Sequence, residues 1–550
     1  MRTRRLTALV VASLITSGTV VALVASPGPL RVAFQRNEAR VAHSPYVPAT
    51  TLTGLRTVTA FRWFHQFGTP TADEAHGVAV DRSGIYVAGS TGGSPDVFLR
   101  RYDHNSNLIW IRQFGTAEDD LARAIAVDGS GVYIAGYTRI PDQGGFGDDA
   151  FLWKYDVDGN LVWNRTFGTP QFDYAFAVAL DASGIYVGGQ TFGTFPDQTN
   201  MGSGYVRKYD HDGNAVWTRQ FDTSGPDGAN ALAVGAGGLI VAGWKGSVPS
   251  RAFLGKYNFN GTPEWTRQFG SSETNGATAV AFNGSSVYVA GRTGLEAFLR
   301  KYDSDGNVVW SREFGAPEED TAWGVAVNGF GAYVAGHTQG TLPGELSAGG
   351  YDAFVRKYDV AGTELWTHQF GTSGNDLAWA ATADGSSVYL AGYTDGTFPG
   401  QTGAGGQDAF LAAIDTVPPT IAITSPQNGT TLRSAIVSVT GTASDDVAVE
   451  RVEVSVDGTT WLRTTGTTAW FANLTLREGL NTITARASDT TRNVGTTTVT
   501  VTMQGERVFL LVLVAGVGSL AVSVVAVLYI LRRRKRKGVH PPKEPPPPVQ

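Results

Sequence analysis

Short apolar runs bounded by turn residues repeat along most of this chain. Runs such as "NVVWSREF" and "AYVAG" are rich in β-branched and aromatic residues and end at Gly, Asp or Asn. Short runs of this composition favour β-strands over helices. The pattern therefore predicts an all-β protein over most of its length.

Three short sequence motifs, Trp-x-x-x-Phe, "YVAG" and "AFLRKYD" with their close variants, each occur seven times. They recur at intervals of about 45 to 56 residues. Each period holds four predicted strands: a ("AFLRKYD"), b ("NVVWSREF"), c ("AWGVAV") and d ("AYVAG"). Turns of the type "DSDGN" join a to b, and turns of the type "DGSG" join c to d, so both pairs are predicted antiparallel hairpins. Strand b carries a Trp followed four residues later by Phe, at Trp63, Trp110, Trp163, Trp217, Trp265, Trp310 and Trp366.

Four antiparallel strands repeated seven times predict a seven-bladed β-propeller over residues 53–415. The array begins at strand b, within residues 57–67, and ends on a lone strand a at residues 409–415. These complementary ends indicate that one blade is shared between the termini and closes the ring. A solenoid is the alternative that the ends disfavour.

The repeated aromatic and Asp-Gly residues are interpreted as structural. Alternate residues of a strand point to the same side, so Trp310 and Phe314 are predicted to fill the space between neighbouring blades. Gly in the a/b turn supplies the positive φ that a tight hairpin needs. The seven Trp residues are therefore predicted blade aromatics.

A further position that recurs in every repeat lies between strands b and c. Six residues after each repeat Phe, and two before an Ala, stands an acidic or amide residue: Asp73, Asp120, Asp173, Asp227, Asn275, Asp320 and Asp376. The first interpretation is a turn in which the side chain accepts backbone N–H groups. The alternative is an acidic ring at one mouth of the channel, able to bind a cation.

No cofactor is predicted, with calcium as the open alternative. Segments such as "DVDGN" and "DHDGN" have Asp at positions 1 and 3, as Ca²⁺ loops do, but a hydrophobic strand follows where a later bidentate Glu is needed. The repeats also look similar to those of quinoprotein dehydrogenases, although the chain has no cysteine and so lacks the adjacent pair frequent among the alcohol dehydrogenases of that group.

Both ends of the chain indicate a membrane. Residues 1–26 read as a signal peptide or N-terminal anchor, followed by a linker at 27–52. Residues 508–531 carry no charge and are long enough for a single transmembrane helix. The basic and Pro-rich segment 532–550 is then cytoplasmic, and the bulk of the chain is extracellular.

The loops are unequal on the two faces. The d-to-a connections at 138–149, 191–204, 338–352 and 394–408 are long, whereas those after Gly89, Gly243 and Gly291 are short. The long loops belong to the face that also carries the b-to-c connections, and recognition usually resides in loops held by a rigid scaffold.

Residues 416–503 form a separate unit with Thr/Val alternation after the stiff segment "TVPP". About seven short strands in this length predict a β-sandwich. The opening "PPTIAITSPQNGTTL" looks like bacterial Ig-like domains, which implies a spacer in a surface protein.

The repeat words themselves resemble the β-propeller repeats called SBBP, found in bacterial and archaeal surface proteins. The likeness is close across a whole period, "DAFVRKYDVAGTELWTHQFGTSGNDLAWAATADGSSVYLAGYTDGTFPGQTGAGGQDAF", and extends over about residues 53 to 415. The resemblance implies a propeller and a cell-surface setting, and it implies no catalytic residues.

The predicted function is cell-surface recognition or adhesion, with a protein or glycan ligand, by a non-catalytic propeller on an Ig-like stalk. The net charge of −6 and the absence of a basic stripe disfavour nucleic acid. Scattered histidines and the lack of nucleophile or phosphate-loop motifs disfavour catalysis. Two alternatives remain: an extracellular enzyme that acts on polysaccharide or uses a quinone, and an architectural component of the cell envelope.

Overall fold

The computed structural model describes residues 61–505, except 93–96, 117, 141–146, 199–202, 222–226, 236, 247–248 and 271–274. In this part of the chain every regular element is a β-strand, which confirms the all-β prediction. The predicted signal segment, linker, transmembrane helix and tail (1–26, 27–52, 508–531 and 532–550) lie outside the described residues. Within the described ranges there is no helix with the length and apolarity needed to cross a membrane.

Residues 63–415 form seven four-stranded antiparallel sheets, each in the order c-d-a-b. Sheets 1 to 3 are β2 (Asp73–Asp81), β3 (Gly84–Thr91), β4 (Val97–Tyr102) and β5 (Leu108–Phe114); β6 (Asp120–Asp128), β7 (Gly131–Ile140), β8 (Gly147–Tyr155) and β9 (Leu161–Phe167); and β10 (Asp173–Asp181), β11 (Gly184–Thr191), β12 (Gly204–Tyr209) and β13 (Ala215–Gln220). Sheets 4 and 5 are β14 (Asp227–Gly235), β15 (Gly238–Lys245), β16 (Arg251–Tyr257) and β17 (Pro263–Phe269); and β18 (Asn275–Phe282), β19 (Ser286–Thr293), β20 (Glu296–Asp303) and β21 (Val308–Phe314). Sheet 6 is β22 (Asp320–Asn328), β23 (Gly331–Thr338), β24 (Asp352–Tyr358) and β25 (Glu364–Phe370).

Sheet 7 combines the two ends of the repeat region. It contains β26 (Asp376–Ala383), β27 (Ser387–Thr394) and β28 (Asp408–Asp415), and its outer strand is β1 (Trp63–Phe67). Trp63 pairs with Ala413, and the pairing continues to Phe67 and Ala409. Strand b of this sheet therefore comes from the start of the array and strand a from its end.

The c strands of neighbouring sheets lie side by side. Each contacts the c strand of the next sheet, from β2 through β6, β10, β14, β18 and β22 to β26, and β26 contacts β2 again. Apolar cores lie between consecutive sheets: Tyr86 and Leu99 of sheet 1, for example, pack with Ile134 and Phe151 of sheet 2. Successive side chains of a strand point to opposite faces of its sheet, so every second residue packs against the same neighbouring sheet.

The a/b turns are closed by their first and last residues. In the turn 156–160, Asp156 N–H donates to Asn160 O at 2.9 Å, and Asn160 N–H donates to the Asp156 carboxylate at 2.8 Å. Gly159 has φ 79°, which is the positive value that the Asp-Gly pattern predicts. The Asp156 carboxylate also accepts the Asn160 side-chain amide at 2.9 Å. Its oxygens are thus occupied by N–H donors in the segment that resembles a calcium loop.

A β-sandwich follows the repeat sheets. One sheet contains β29 (Thr420–Ser425), β31 (Ile436–Ser444) and β34 (Ala469–Thr475). The other contains β30 (Thr431–Leu432), β36 (Val494–Met503), β35 (Gly479–Asp489), β32 (Val449–Ser455) and β33 (Leu462–Arg463). Val439, Val452, Trp470 and Ile483 form part of the buried core between them. This arrangement is the sandwich that the Thr/Val alternation predicts.

Candidate functional site

Every c strand carries a β-bulge at the same place. In sheet 1, Ala75 pairs with Gly89 and Gly77 with Ala88, so His76 is the extra residue. A bulge changes the direction of a side chain and is common next to functional sites. The equivalent extra residues of the seven sheets, named here the bulge residues, are His76, Arg123, Phe176, Asn230, Thr278, Trp323 and Trp379.

The bulge explains the Gly that ends each "YVAG" word. A Cβ on Gly136 would overlap the carbonyl oxygen of Leu121 in the paired c strand, and a Cβ on Gly392 would overlap that of Leu377. Only Gly leaves room for this close backbone approach. The bulge residues are not restricted in this way. They differ in chemistry from sheet to sheet, whereas the residue before each of them is always Ala.

The predicted acidic series lies at the start of the c strands, on the same end as the long loops. Its side chains are buried, with exposures of 0 to 2%. Thr69 N–H donates to the Asp73 carboxylate at 2.6 Å, and Thr372 N–H donates to that of Asp376 at 2.6 Å. The members are Asp73, Asp120, Asp173, Asp227, Asn275, Asp320 and Asp376. In these contacts the carboxylate accepts a backbone N–H group, as the turn interpretation predicts.

Burial raises the pKa of several of these carboxyl groups. The pKa of Asp173, Asp320 and Asp376 rises to about 6, mainly because burial disfavours the charged form. A second carboxylate from strand a of the preceding sheet adds to the rise: Asp149 for Asp173, Glu296 for Asp320 and Asp352 for Asp376. Because the acids of the series are buried and the pairing recurs between sheets, we interpret the pairs as parts of the scaffold.

A pocket of about 320 Å³ lies between sheets 2 and 3 on the long-loop face. It is lined by Asp119, Leu121, Arg123, Tyr137, Arg139, Asp148, Tyr174, Phe176 and Gln190. Wider depressions of about 470 and 580 Å³ lie on the opposite face, where turn residues such as Ser130 and Ser386 line them. The smaller pocket differs from them because aromatic faces and charged groups converge there.

Stacked aromatic rings form one wall of this pocket. Phe172, Tyr174 and Phe176 alternate at the start of β10, so their rings lie on one side of the chain. The rings of Tyr174 and Phe176 are 5.9 Å apart with an interplanar angle of 13°, and those of Phe172 and Tyr174 are 6.3 Å apart at 14°. Phe172 is 37% exposed and Phe192, which meets its edge, is 58% exposed. The wall therefore extends from the pocket to the surface.

Polar groups face this wall from sheet 2. Arg123 donates to the hydroxyl of Tyr137 at 3.4 Å, and the ring of Tyr137 meets Tyr174 edge to face at 4.8 Å. Arg139 forms an ion pair with Asp119 and lies 3.6 Å from Asp148. Burial, followed by the nearby Asp148, raises the pKa of Tyr174 to about 12, so its hydroxyl stays a hydrogen-bond donor.

Histidine and tryptophan side chains meet at the bulge positions of sheets 6, 7 and 1. The rings of Trp323 and Trp379 are 4.7 Å apart, and Trp323 Nε1–H donates to Nδ1 of His337 at 3.0 Å. His76 lies 6.0 Å from Trp379 and 3.3 Å from the carboxylate of Glu74. Burial lowers the pKa of His76 to about 3 and that of His337 to about 4. Both imidazoles are therefore neutral at physiological pH.

The seven predicted blade aromatics lie on strand b of each sheet. In five of them the indole donates to the next a/b turn: Trp110 Nε1–H donates to Val157 O at 3.1 Å and Trp163 Nε1–H to His211 O at 3.2 Å, and Trp217, Trp265 and Trp310 do the same. The turn Gly lies on the indole, since a Cβ on Gly159 would stand 3.2 Å from the Trp110 ring. Trp and turn Gly thus form one inter-sheet contact.

Sequence reasoning missed the bulge residues and the pocket. The signal available was the variable residue after Asp-x-Ala, where the repeat words otherwise agree, together with the Gly of "YVAG". The aromatic alternation at Phe172, Tyr174 and Phe176 was a second signal, because half-exposed rings on one side of a strand often mark a binding surface.

Two segments match known domain families. Residues 62–95 match the SBBP β-propeller repeat, and residues 419–501 match the bacterial Ig domain. The chain carries both domain types. The predicted resemblances are confirmed for these segments, and the Ig-like domain coincides with the observed sandwich.

Similarity to individual proteins is limited. A stretch of 103 residues is 30% identical to the regulatory protein FlaEY of Caulobacter vibrioides, over 17% of this chain and 11% of that protein. The extracellular domain of a protein described as a hybrid two-component system of B. thetaiotaomicron aligns over 80% of this chain and 57% of its own length, with 12% identity and a TM-score of 0.36. A prolyl endopeptidase structure aligns over the same shares, with 11% identity and a TM-score of 0.38. The chain thus spans a little over half of each of these two structures.

Proposed function

We propose that the seven sheets close into a seven-bladed β-propeller that serves as a non-catalytic recognition module at the cell surface. The cyclic contacts of the c strands, from β2 round to β26 and back to β2, support closure. The pairing of β1 with β28 supports it as well, because it joins the two ends of the array within one sheet.

The pocket between sheets 2 and 3 carries the functional part of this proposal. Ligand pockets combine apolar or aromatic walls with a few placed polar groups. Here the wall of Tyr174 and Phe176 faces Arg123, while Asp148 and Gln190 belong to the same lining. None of these residues belongs to the repeated words, so the scaffold does not require them in this combination.

The ligand class that fits best is a saccharide. A sugar ring presents C–H groups on its face and hydroxyl groups around its rim. Half-exposed aromatic faces pack against the former, and guanidinium, amide and carboxylate groups bind the latter. The exposed rings of Phe172 and Phe192 extend the wall beyond the pocket, which suits a second sugar unit of a chain.

A surface location rests on the two ends of the sequence. The expected signal segment 1–26 and membrane helix 508–531 would leave the repeat sheets and the Ig-like domain outside the cell. In that arrangement the Ig-like domain separates the saccharide-binding propeller from the membrane.

Calorimetric titration of the full-length chain with neutral and acidic oligosaccharides tests this proposal. Saturable binding is expected, and Tyr174→Ala should weaken it at least about tenfold, since aromatic anchors dominate such sites. Phe172→Ala should weaken it less, whereas the matched control Phe330→Ala should not, because Phe330 is equally exposed, at 38%, and lies in a c/d turn on the opposite face. Equal affinity for wild type and Tyr174→Ala would exclude this pocket, and release of shortened oligosaccharides would support the enzyme alternative.

A further inference from the structure

Six of the seven sheets have an a/b turn, and this turn contacts the preceding sheet. In sheets 1 to 5 the strand-b Trp donates to the second residue of the next turn, as Trp310 does to Val360 O at 3.2 Å. The residue two positions after the Trp reaches the fourth residue of that turn: Arg312 Nε–H donates to Gly362 O at 2.7 Å, and His65 lies 3.1 Å from Ser106 O. Strand a contributes as well, since Lys301 donates to Val360 O at 3.1 Å.

Sheet 7 has no such turn to offer. Its strand a, β28, ends at Asp415, and its strand b, β1, begins at Trp63, so no hairpin joins them. The side chains of sheet 6 that face this place are Lys357, Trp366 and His368, which correspond to Lys301, Trp310 and Arg312 of sheet 5. Without a substitute, their buried N–H groups would lack acceptors, which is costly.

The β35–β36 turn of the Ig-like domain occupies this place. Lys357 Nζ and Trp366 Nε1 both donate to Oδ1 of Asn493, at 2.6 and 3.3 Å, and His368 Nε2 lies 3.1 Å from Thr491 O. On its other side, Asn493 Nδ2 donates to the last carbonyl of β28, Asp415 O, at 3.0 Å. The repeat sheets and the sandwich belong to one compact unit.

The substitute also has the conformation of the missing turn. Asp489 N–H donates to Asn493 O at 3.2 Å, and Asn493 donates to the Asp489 carboxylate from its backbone at 2.8 Å and from its side chain at 2.8 Å. Arg492, in the position of the turn Gly, has φ 70° where Gly159 has 79°. The segment "DTTRN" of the Ig-like domain therefore has the same hydrogen bonds between its first and last residues as "DVDGN" in sheet 2.

Burial at this junction exceeds that of the equivalent places elsewhere. In β9 every second residue is exposed, whereas Trp366 to Phe370 of β25 are all buried. Thr491 and Asn493 are 1% and 2% exposed. Arg492 adds contacts to sheet 6, donating to Glu345 Oε1 and to Thr367 O at 2.9 Å each.

We propose that the turn Asp489–Asn493 is the clasp of the repeat ring: the Ig-like domain supplies, from the same chain, the a/b turn that sheet 7 lacks. The domain is then fixed to the turn face of the sheets and does not act as a free spacer. The pocket lies between sheets 2 and 3, whereas the domain contacts sheets 6 and 7, including Glu345 in the long loop of sheet 6. The partner of the surface formed by β25 and the end of β28 is the chain's own Ig-like domain.

Hydrogen exchange of the full-length chain tests the clasp. Asn493→Ala should accelerate exchange of the β1 and β28 amides about tenfold relative to wild type, while sheets 3 and 4 keep their rates. Arg492→Gly separates docking from the fold of the Ig-like domain, because Gly accepts the positive φ and only the contacts to Glu345 and Thr367 are lost; it should accelerate exchange in β25 without exposing β35. Exchange changes confined to β35 and β36 in both variants would overturn the proposal.

Cross-linking identifies the partner. The chain contains no cysteine, so Glu345→Cys combined with Arg492→Cys gives one reactive pair for a short bismaleimide. A cross-linked product that runs as a monomer supports the clasp within one chain. A cross-linked dimer would assign the turn to a second copy, and the absence of any cross-link, with both thiols shown to be reactive, would also contradict the proposal.

Discussion

The indole of Trp310 covers the backbone of Gly362 in the next sheet: a Cβ on that glycine would stand 2.7 Å from the ring, and its φ is 80°. Two independent constraints, a left-handed backbone and a contact without room for a side chain, thus meet at one residue. The same relationship recurs between Trp110 and Gly159, Trp163 and Gly213, Trp217 and Gly261, and Trp265 and Gly306.

Gly362→Ala should therefore destabilise the protein more than backbone strain alone would. A non-Gly residue in this conformation costs about 1 to 2 kcal/mol, and overlap with a packed ring adds about 1 to 3 kcal/mol. Gly344→Ala is the matched control, since Gly344, in the loop between β23 and β24, has φ 81° and its added Cβ meets nothing within 4 Å. Urea unfolding of both variants measures the difference, and equal losses of stability would argue against the Trp contact.

The buried carboxyl groups predict a stability that falls as the pH rises. Asp376 has a folded-state pKa of about 6, above the ordinary value of 3.8, so its contribution is fully present below about pH 4 and is lost as the pH passes through 6. The contribution is at most about 3 kcal/mol. Asp376→Asn should reduce the stability difference between pH 5 and pH 8, and it should fold because Asn275 stands at the same place in sheet 5.

Thermal unfolding at the two pH values measures this effect. Asp303→Asn is the control: hydrogen bonds from Asn307 lower the pKa of Asp303, so its titration lies below this pH range. An unchanged pH dependence in Asp376→Asn would show that its carboxyl group does not titrate between pH 5 and pH 8.

A buried glutamine holds one of the long loops. The Gln369 side chain accepts from Leu342 N–H at 2.8 Å and donates to Gly340 O at 2.8 Å and to Asp352 at 2.7 Å. Gln369→Ala should cost about 2 to 4 kcal/mol, because buried partners lose their hydrogen bonds, and should make the loop 339–351 sensitive to protease. Gln268→Ala, at the same place in sheet 4 but exposed, should change stability by less than about 0.5 kcal/mol. Limited proteolysis of the two variants distinguishes a loop held by Gln369 from one held by its own turns.

The junction with the Ig-like domain should also depend on pH. Asp415 is buried, and its pKa rises to about 7 because of burial, with Asp446 and Asp489 adding to the rise and Arg62, 3.4 Å away, opposing it. The protonated form is favoured in the folded state, so the stabilisation present below about pH 4 is lost as the pH rises through 7. We expect exchange at β28 to be faster at pH 8 than at pH 6 after correction for intrinsic rates, and this difference to shrink in Asp415→Asn. An equal difference in the variant would assign the effect to other groups.

Local chemistry made much of the fold predictable. The "DSDGN" turns, the Trp-x-x-x-Phe strands and the "YVAG" strands each act through residues within one hairpin, and the sevenfold recurrence of the two strand motifs indicated seven equivalent units. The incomplete ends also indicated that β1 and β28 belong to one sheet. The buried acids were identified by position, and the turn-like role agrees with the contacts of Asp73 and Asp376.

The candidate site was not predictable in the same way. His76 and Phe176 are bulge residues only because of the register that their strands adopt with β3 and β11, and register is a property of two strands together. The pocket joins Arg123 and Tyr137 of one sheet to Tyr174 of the next, so its chemistry depends on how neighbouring sheets meet.

By itself the sequence determined the β-class, the period, the turn types and the separate Ig-like domain, because turn chemistry and two-residue alternation act between near neighbours. Tertiary structure alone decided that the c strands of neighbouring sheets contact one another, which side chains line the pocket, and that Asn493 stands beside Asp415, 78 residues away. Contacts over such separations depend on the packing of whole sheets, and no local pattern of residues specifies that packing.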